Sequence, residues 1–150
     1  MPMMIRGQSS GLVGSTASTV KVTSALVTAS FSTASTTFVD VTGYTLTLSG
    51  LDASASYDLF ACFDLSEIAS SDANNGGQIQ LLIDGTVSSC KILEQCGANE
   101  RYPCTLSSTK LVTGATSYIC KLQCKKATAG NFLVNASTLT SSMFIMAVKR

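Results

Sequence analysis

The run Ser35-Thr36-Thr37-Phe38-Val39-Asp40-Val41-Thr42-Gly43-Tyr44-Thr45-Leu46-Thr47-Leu48 alternates apolar and hydroxyl-bearing side chains, breaks at a glycine, and alternates again. A period of two residues puts one set of side chains on a core and the other in water. That pattern excludes a helix, whose apolar face returns every third or fourth residue. It is read as a strand over Phe38–Val41, a turn at Gly43, and a second strand over Thr45–Leu48.

The same pattern continues along the chain. Val20–Val27, Tyr57–Leu65, Gln78–Ile83, Thr86–Leu93, Leu106–Thr113, Ser117–Lys125, Phe132–Asn135 and Met143–Lys149 all read as strands. Turn residues separate them. Ser49-Gly50-Leu51-Asp52 and Asn74-Asn75-Gly76-Gly77 are two such turns, and Asp84-Gly85 is the strongest hairpin signal. Ser66–Asp72 and Ile92–Gly97 have room for one helical turn each, and residues 94–104 read as an irregular loop. About ten short strands with regular punctuation imply an antiparallel sandwich or barrel.

Residues 1–18 are rich in Gly, Ser and Thr, which describes a flexible arm ahead of a single domain over 19–150. Met3, Met4, Ile5, Arg6, Leu12 and Val13 are its candidate docking residues. No apolar stretch in the arm is long enough for a signal peptide, and none elsewhere approaches a membrane span of about 18 residues. The sequence therefore predicts no export by its own signal and no membrane partner. Charged residues make up 13% of the chain and the net charge is +1. A nucleic-acid binder needs a basic stripe, and there is none. Lys121, Lys125 and Lys126 cluster, as lysines on a solvated strand edge do.

Six cysteines are present: Cys62, Cys90, Cys96, Cys104, Cys120 and Cys124. Histidine is absent, which removes every zinc site that mixes Cys with His, and the spacings fit an all-Cys site poorly. Cys120 and Cys124 share the core face of one strand, opposite Lys121, Gln123 and Lys125. They lie roughly 13 Å apart when extended, too far to bridge each other. At least one disulfide is expected from the group Cys90, Cys96 and Cys104, with Cys120 or Cys124 as possible partners. A fully reduced chain is the alternative, since six cysteines allow about 15 pairings and sequence does not choose among them.

Little else suggests chemistry. Without histidine there is no Ser-His-Asp or Cys-His machinery. Asp58 and Asp64 fall on one strand, and Asp40, Asp52, Asp72 and Asp84 sit near turns, where aspartate is at home. No phosphate loop or other cofactor motif occurs. Asn135-Ala136-Ser137 has the form of an N-glycosylation triplet. Leu81-Leu82-Ile83 and Met143-Phe144-Ile145-Met146 are apolar at every position. A strand with two apolar faces needs cover on both, so Leu82, Met143 and Ile145 are candidate subunit contacts.

Phe38-Val-Asp-Val-Thr-Gly43 with Tyr44-Thr-Leu-Thr-Leu48 resembles the opening hairpin of small bacteriophage virion proteins built on a TNF-like jelly-roll sandwich. Gln80–Thr86, Tyr118–Lys125, Phe132–Ser137 and Phe144–Lys149 are similar to that family's later strands, so the resemblance runs from about residue 30 to residue 150. The cysteine-rich stretch Cys90–Cys124 departs from it. The resemblance implies an all-β, antiparallel, jelly-roll-like β-sandwich of about 8–10 short strands, trimeric, and without catalytic residues. It implies a structural protein at the virion surface, decorating a capsid or serving as a head or tail accessory, with capsid or tail proteins as partners. The alternative is a receptor-binding tip whose loops Ser70–Gly77 and Glu94–Cys104 touch a host glycan or protein.

Overall fold

The computed structural model describes residues 20–73, 75–93, 97–135 and 140–150. The six arm residues Met3, Met4, Ile5, Arg6, Leu12 and Val13, together with Cys96, lie outside them. Ten strands make up the described chain: β1 (Val20–Val27), β2 (Phe31–Thr33), β3 (Val39–Ser49), β4 (Ser56–Ser70), β5 (Gly77–Ile83), β6 (Thr86–Leu93), β7 (Arg101–Thr113), β8 (Ser117–Lys126), β9 (Phe132–Val134) and β10 (Ser141–Lys149). There is no helix among the described residues. Ser66–Ser70, read above as room for a helical turn, continues β4.

The strands pair as nested antiparallel couples. β5 pairs with β6, β4 with β7, β3 with β8, and β1 with β10. Two further pairings, β4 with β10 and β5 with β8, join these couples into sheets. One sheet carries β1-β10-β4-β7, extended by the short β9 and β2; the other is β3-β8-β5-β6. This is the eight-stranded, double Greek-key order of a jelly roll. The jelly-roll sandwich expected from the sequence is therefore the fold.

Between the sheets alternation does what it promised. Leu59, Ala61 and Phe63 of β4, Ile79, Leu81 and Ile83 of β5, Cys120, Leu122 and Cys124 of β8, and Ile145 and Ala147 of β10 are buried in one core. Gly43 departs from expectation. It has φ of +86°, yet the chain does not turn back there. β3 runs straight through, with a bulge between Asp40 and Thr45 that absorbs the extra residues against β8. A left-handed glycine inside a strand is what such a bulge requires.

β7 also begins earlier than its hydrophobic pattern shows, at Arg101. Pro103 falls where the β4–β7 register slips between Leu65 and Ile68, so its missing N–H leaves no ladder bond unmade. At that end of the sandwich, buried Asn135 ties three segments together. Its backbone N–H donates to Glu67 O at 2.9 Å, and its side-chain amide donates to Ala29 O at 3.3 Å and Val27 O at 3.4 Å. Ser66 Oγ donates to Asn135 Oδ1. A side chain so enclosed cannot serve as a glycan acceptor, which disposes of the glycosylation triplet.

Candidate functional site

The outer face of the β1-β10-β4-β7 sheet is the most unusual surface of the molecule. Strand register arranges its side chains in four rows. Val20, Val148, Asp58 and Leu111 form the first, and Val22, Met146, Phe60 and Thr109 the second. Ser24, Phe144, Cys62 and Ser107 form the third, and Leu26, Ser142, Asp64 and Thr105 the fourth. Nine of these sixteen positions are apolar, and they are contiguous across four strands. Leu26 is 75% exposed, Val22 and Leu111 54% each. Phe60 and Phe144 lean on one another at 6.2 Å between ring centroids, tilted by 58°. A depression of about 240 Å³ opens beside Phe60, Leu111, Met146 and Val148.

Both carboxylates on this face accept hydrogen bonds. Arg150 clasps Asp58 with Nη2 at 2.6 Å and Nε at 3.0 Å, which holds the carboxyl below its usual range. Thr105 donates its hydroxyl to Asp64 at 2.5 Å. Partial burial, helped by the nearby Asp64 carboxylate, raises the Cys62 thiol above its usual range. With β-strand spacings the four rows cover roughly 20 Å by 20 Å, or about 400 Å² in projection. With nine of sixteen positions apolar, the apolar part is roughly 225 Å², against the few hundred Å² of the largest patch on a typical monomer.

The opposite outer face has a polar middle, with exposed Ile119, Val87 and Ile92 around it. Gln80 Nε2 donates to Gln123 Oε1 at 3.0 Å, and Gln123 Nε2 donates to Asp40 Oδ1 at 2.8 Å. Lys121 pairs with the same carboxylate at 2.8 Å, and these bonds hold Asp40 below its ordinary value. This polar ladder crosses β3, β8 and β5.

The residues singled out from the sequence fall as follows. Met143 and Ile145 point into the core, 2% and 0% exposed, and cannot be subunit contacts. Their neighbours Phe144 and Met146 carry the outer face instead. Leu82 alternates with the core residues Leu81 and Ile83, but it is only 5% exposed and offers little to a partner. The expectation that β10 is apolar on both faces holds; the residues assigned to the outer face were out of phase by one.

Cys62, Cys90, Cys104, Cys120 and Cys124 are free thiols, so the expected bridge is not formed among these five. Burial pushes Cys104 up to about 11 and Cys120 and Cys124 up to about 12. These three pack as small apolar side chains, while Cys90 is exposed. No group of His, Cys, Asp or Glu among the described residues is arranged to hold a metal. Asp58 and Asp64 lie six residues apart on β4, about 20 Å. Paired glycosidase carboxylates stand about 5–9.5 Å apart, so these two cannot share one bond.

No family model and no curated protein matches the chain. Among solved structures it is similar to the C-terminal domain of EclA, a sugar-binding protein, at 20% identity over 77% of this chain and 78% of that one, with a TM-score of 0.41. It is similar to the structure of infectious bursal disease virus, Gx strain, at 15% identity over 99% of this chain and 36% of the viral one, with a TM-score of 0.47. It is also similar to dimeric latent PorU from Porphyromonas gingivalis, at 12% identity over 86% of this chain and 13% of that one, with a TM-score of 0.45. The chain spans little more than a third of the viral protein and a small part of PorU.

Proposed function

We propose that this chain is a non-enzymatic structural protein of a bacteriophage particle, displayed at the virion surface, that works by self-association and docking. The observation that carries this reading is the four-row apolar face on β1, β10, β4 and β7. Jelly rolls are a common architecture of capsid and lectin domains, which agrees with a role in shape and contact. Of the two carboxylates on this face, Asp58 is paired with Arg150 and Asp64 accepts from the Thr105 hydroxyl, so a partner surface meets one carboxylate without a counter-ion, at the edge row. At about 400 Å² in projection the face falls short of the roughly 800 Å² that each partner buries in a standard interface. Flanking elements must therefore contribute, and residues 1–18 are assigned that docking role. On the family resemblance the assembly is a trimer, seated on capsid or tail proteins.

Sedimentation velocity over a range of protein concentrations tests the reading. The wild-type chain should associate in the micromolar range, and Phe60→Glu, which places a carboxylate in the middle row, should remain monomeric with an unchanged fold by circular dichroism. A wild-type chain that stays monomeric at millimolar concentration refutes the proposal. So does a Phe60→Glu variant that associates as well as the parent.

A further inference from the structure

The outer face of the β1-β10-β4-β7 sheet leaves one charge over. Arg150 neutralises Asp58. Asp64, in the fourth row, accepts the Thr105 hydroxyl and has no cation within ion-pair distance among the described residues. A cover that suits this face is therefore apolar, with a single positive charge over Asp64. A second copy of the same face brings another carboxylate instead. One segment of the chain has the required composition. β1 begins at Val20 in the first row, so residues 1–19 join the described chain at the edge of this face. Their only charged side chain is Arg6, and Leu12-Val13 forms an apolar pair between it and Val20.

The lengths agree. Successive rows are two residues apart, so the first and fourth rows are about 20 Å from one another, and β1 and β4 are two strand spacings apart, about 10 Å. Val20 and Asp64 thus stand roughly 22 Å apart across the face. Arg6 precedes Val20 by 14 residues (20 − 6). A Gly/Ser-rich stretch of that length has a root-mean-square span of about 19–22 Å, at roughly 5–6 Å times the square root of the residue number. A tether whose natural span matches the distance to its site presents its end at about millimolar effective concentration. At submicromolar protein the chain's own arm therefore outnumbers any other copy's by about a thousandfold. Leu12 and Val13 fall midway along this stretch, as Phe60 and Phe144, in the second and third rows, fall midway across the span.

We propose that residues 6–13 of the chain's own arm cover this face when the protein is monomeric, with the Arg6 guanidinium on Asp64 and Leu12-Val13 over Phe60 and Phe144. A guanidinium suits the position because its planar fork meets a carboxylate with two charge-assisted hydrogen bonds. The face is then capped by the chain that carries it. Another copy has to displace the arm before packing there, and displacement releases the arm for docking. The cap uses the same face as the assembly reading but does not rest on association, because it forms within one chain.

The chain contains no tryptophan, so Leu12→Trp adds a single reporter to the intact protein. At submicromolar concentration its emission should be blue-shifted from that of the urea-unfolded chain, and acrylamide should quench it less. The quenching constant follows the undocked fraction. Arg6→Glu in this background turns attraction into repulsion and should raise that constant about fivefold, the size expected of an exposed ion pair. Asp64→Arg should do the same, and Arg6→Glu combined with Asp64→Arg should restore the parent's value. Arg6→Glu alone still decides if Asp64→Arg fails to fold. A tryptophan as solvated as in the unfolded chain overturns the proposal, as does an Arg6→Glu variant quenched like the parent. A blue shift that grows with protein concentration assigns the contact to another copy's arm and overturns capping within one chain. Absence of self-association in sedimentation would refute the assembly role and leave these fluorescence results unchanged, so the two readings fail separately.

Discussion

Ile145 and Met146 are adjacent on β10, and the strand sends them to opposite sides. Ile145 is fully buried between the sheets, while Met146 lies half-buried on the outer face beside Val22 and Phe60. Truncating each to alanine should give two distinct phenotypes. Ile145→Ala removes three carbons, about 2.4 kcal/mol at ~0.8 kcal/mol per buried group. The cavity left in a two-layer core adds to this, for a total of about 3–4 kcal/mol. In a chain of 150 residues each kcal/mol lowers the melting temperature by about 2–4 °C, so Ile145→Ala should melt roughly 10 °C below the parent. Met146→Ala loses only partly buried surface and should cost about 1 kcal/mol or less.

Association complicates the comparison, because binding a second copy stabilises the folded state by mass action. Melting should therefore be followed by circular dichroism at submicromolar protein, where the chain is monomeric, and repeated at high concentration. At low concentration Ile145→Ala should fall much further than Met146→Ala. At high concentration the parent should gain stability and Met146→Ala should not. Equal losses for the two variants in the dilute monomer would refute the assignment of the faces. A concentration-dependent gain that survives Met146→Ala would refute the role of this face in association.

Three other outcomes follow from the geometry. In a Cys96→Ser background at pH 8, a thiol reagent should modify Cys90 at once, while Cys104, Cys120 and Cys124 stay unmodified until the protein unfolds; rapid reaction of all five thiols would contradict their burial. The hydroxyl and amide of Ser54, with Lys149, pull Asp52 down to about 2. A depressed carboxylate contributes stability that is present above its unfolded value near 4 and lost as pH falls toward 2. The urea midpoint should accordingly drop across that window, and less steeply in Asp52→Asn. Gly77→Ala drives a methyl group into the Lys125 carbonyl, a clash with backbone that no rotamer relieves. A cost above about 2 kcal/mol is expected, read as a lowered melting temperature or lost soluble yield.

The sequence reveals most where the chemistry alternates. β1, β5, β6, β8 and β10 stand close to where period-2 patterning and the Asp84-Gly85 turn place them. It misleads where one residue type has two uses. Gly43 reads as a turn because glycine usually takes positive φ in turns, and here the same φ serves a bulge inside β3. Phe31–Thr33 is too short to show any period and becomes β2 only because β9 pairs with it. Arg101–Cys104 reads as part of an irregular loop, yet β4 holds it in register on both sides of the slip.

The candidate site was half legible. Met143-Phe144-Ile145-Met146 announces two apolar faces, but a run with no polar position has no phase. Pairing with β1 and β4 sets which side is which, and that information lies far away in the chain.

The nested pairing has a consequence for how the molecule comes into being. β5 and β6 are joined by a tight turn and can meet early, but β1 has to wait for β10, and β3 for β8. Folds dominated by such distant partners are slow to form. During translation the first strand leaves the ribosome long before its neighbour exists. Until β10 arrives, Val20, Val22 and Leu26 have neither a ladder partner nor a sheet to lie on. The nascent chain therefore carries an unpaired, greasy edge for most of its synthesis, and crowded polysomes are where this protein is most exposed to premature aggregation.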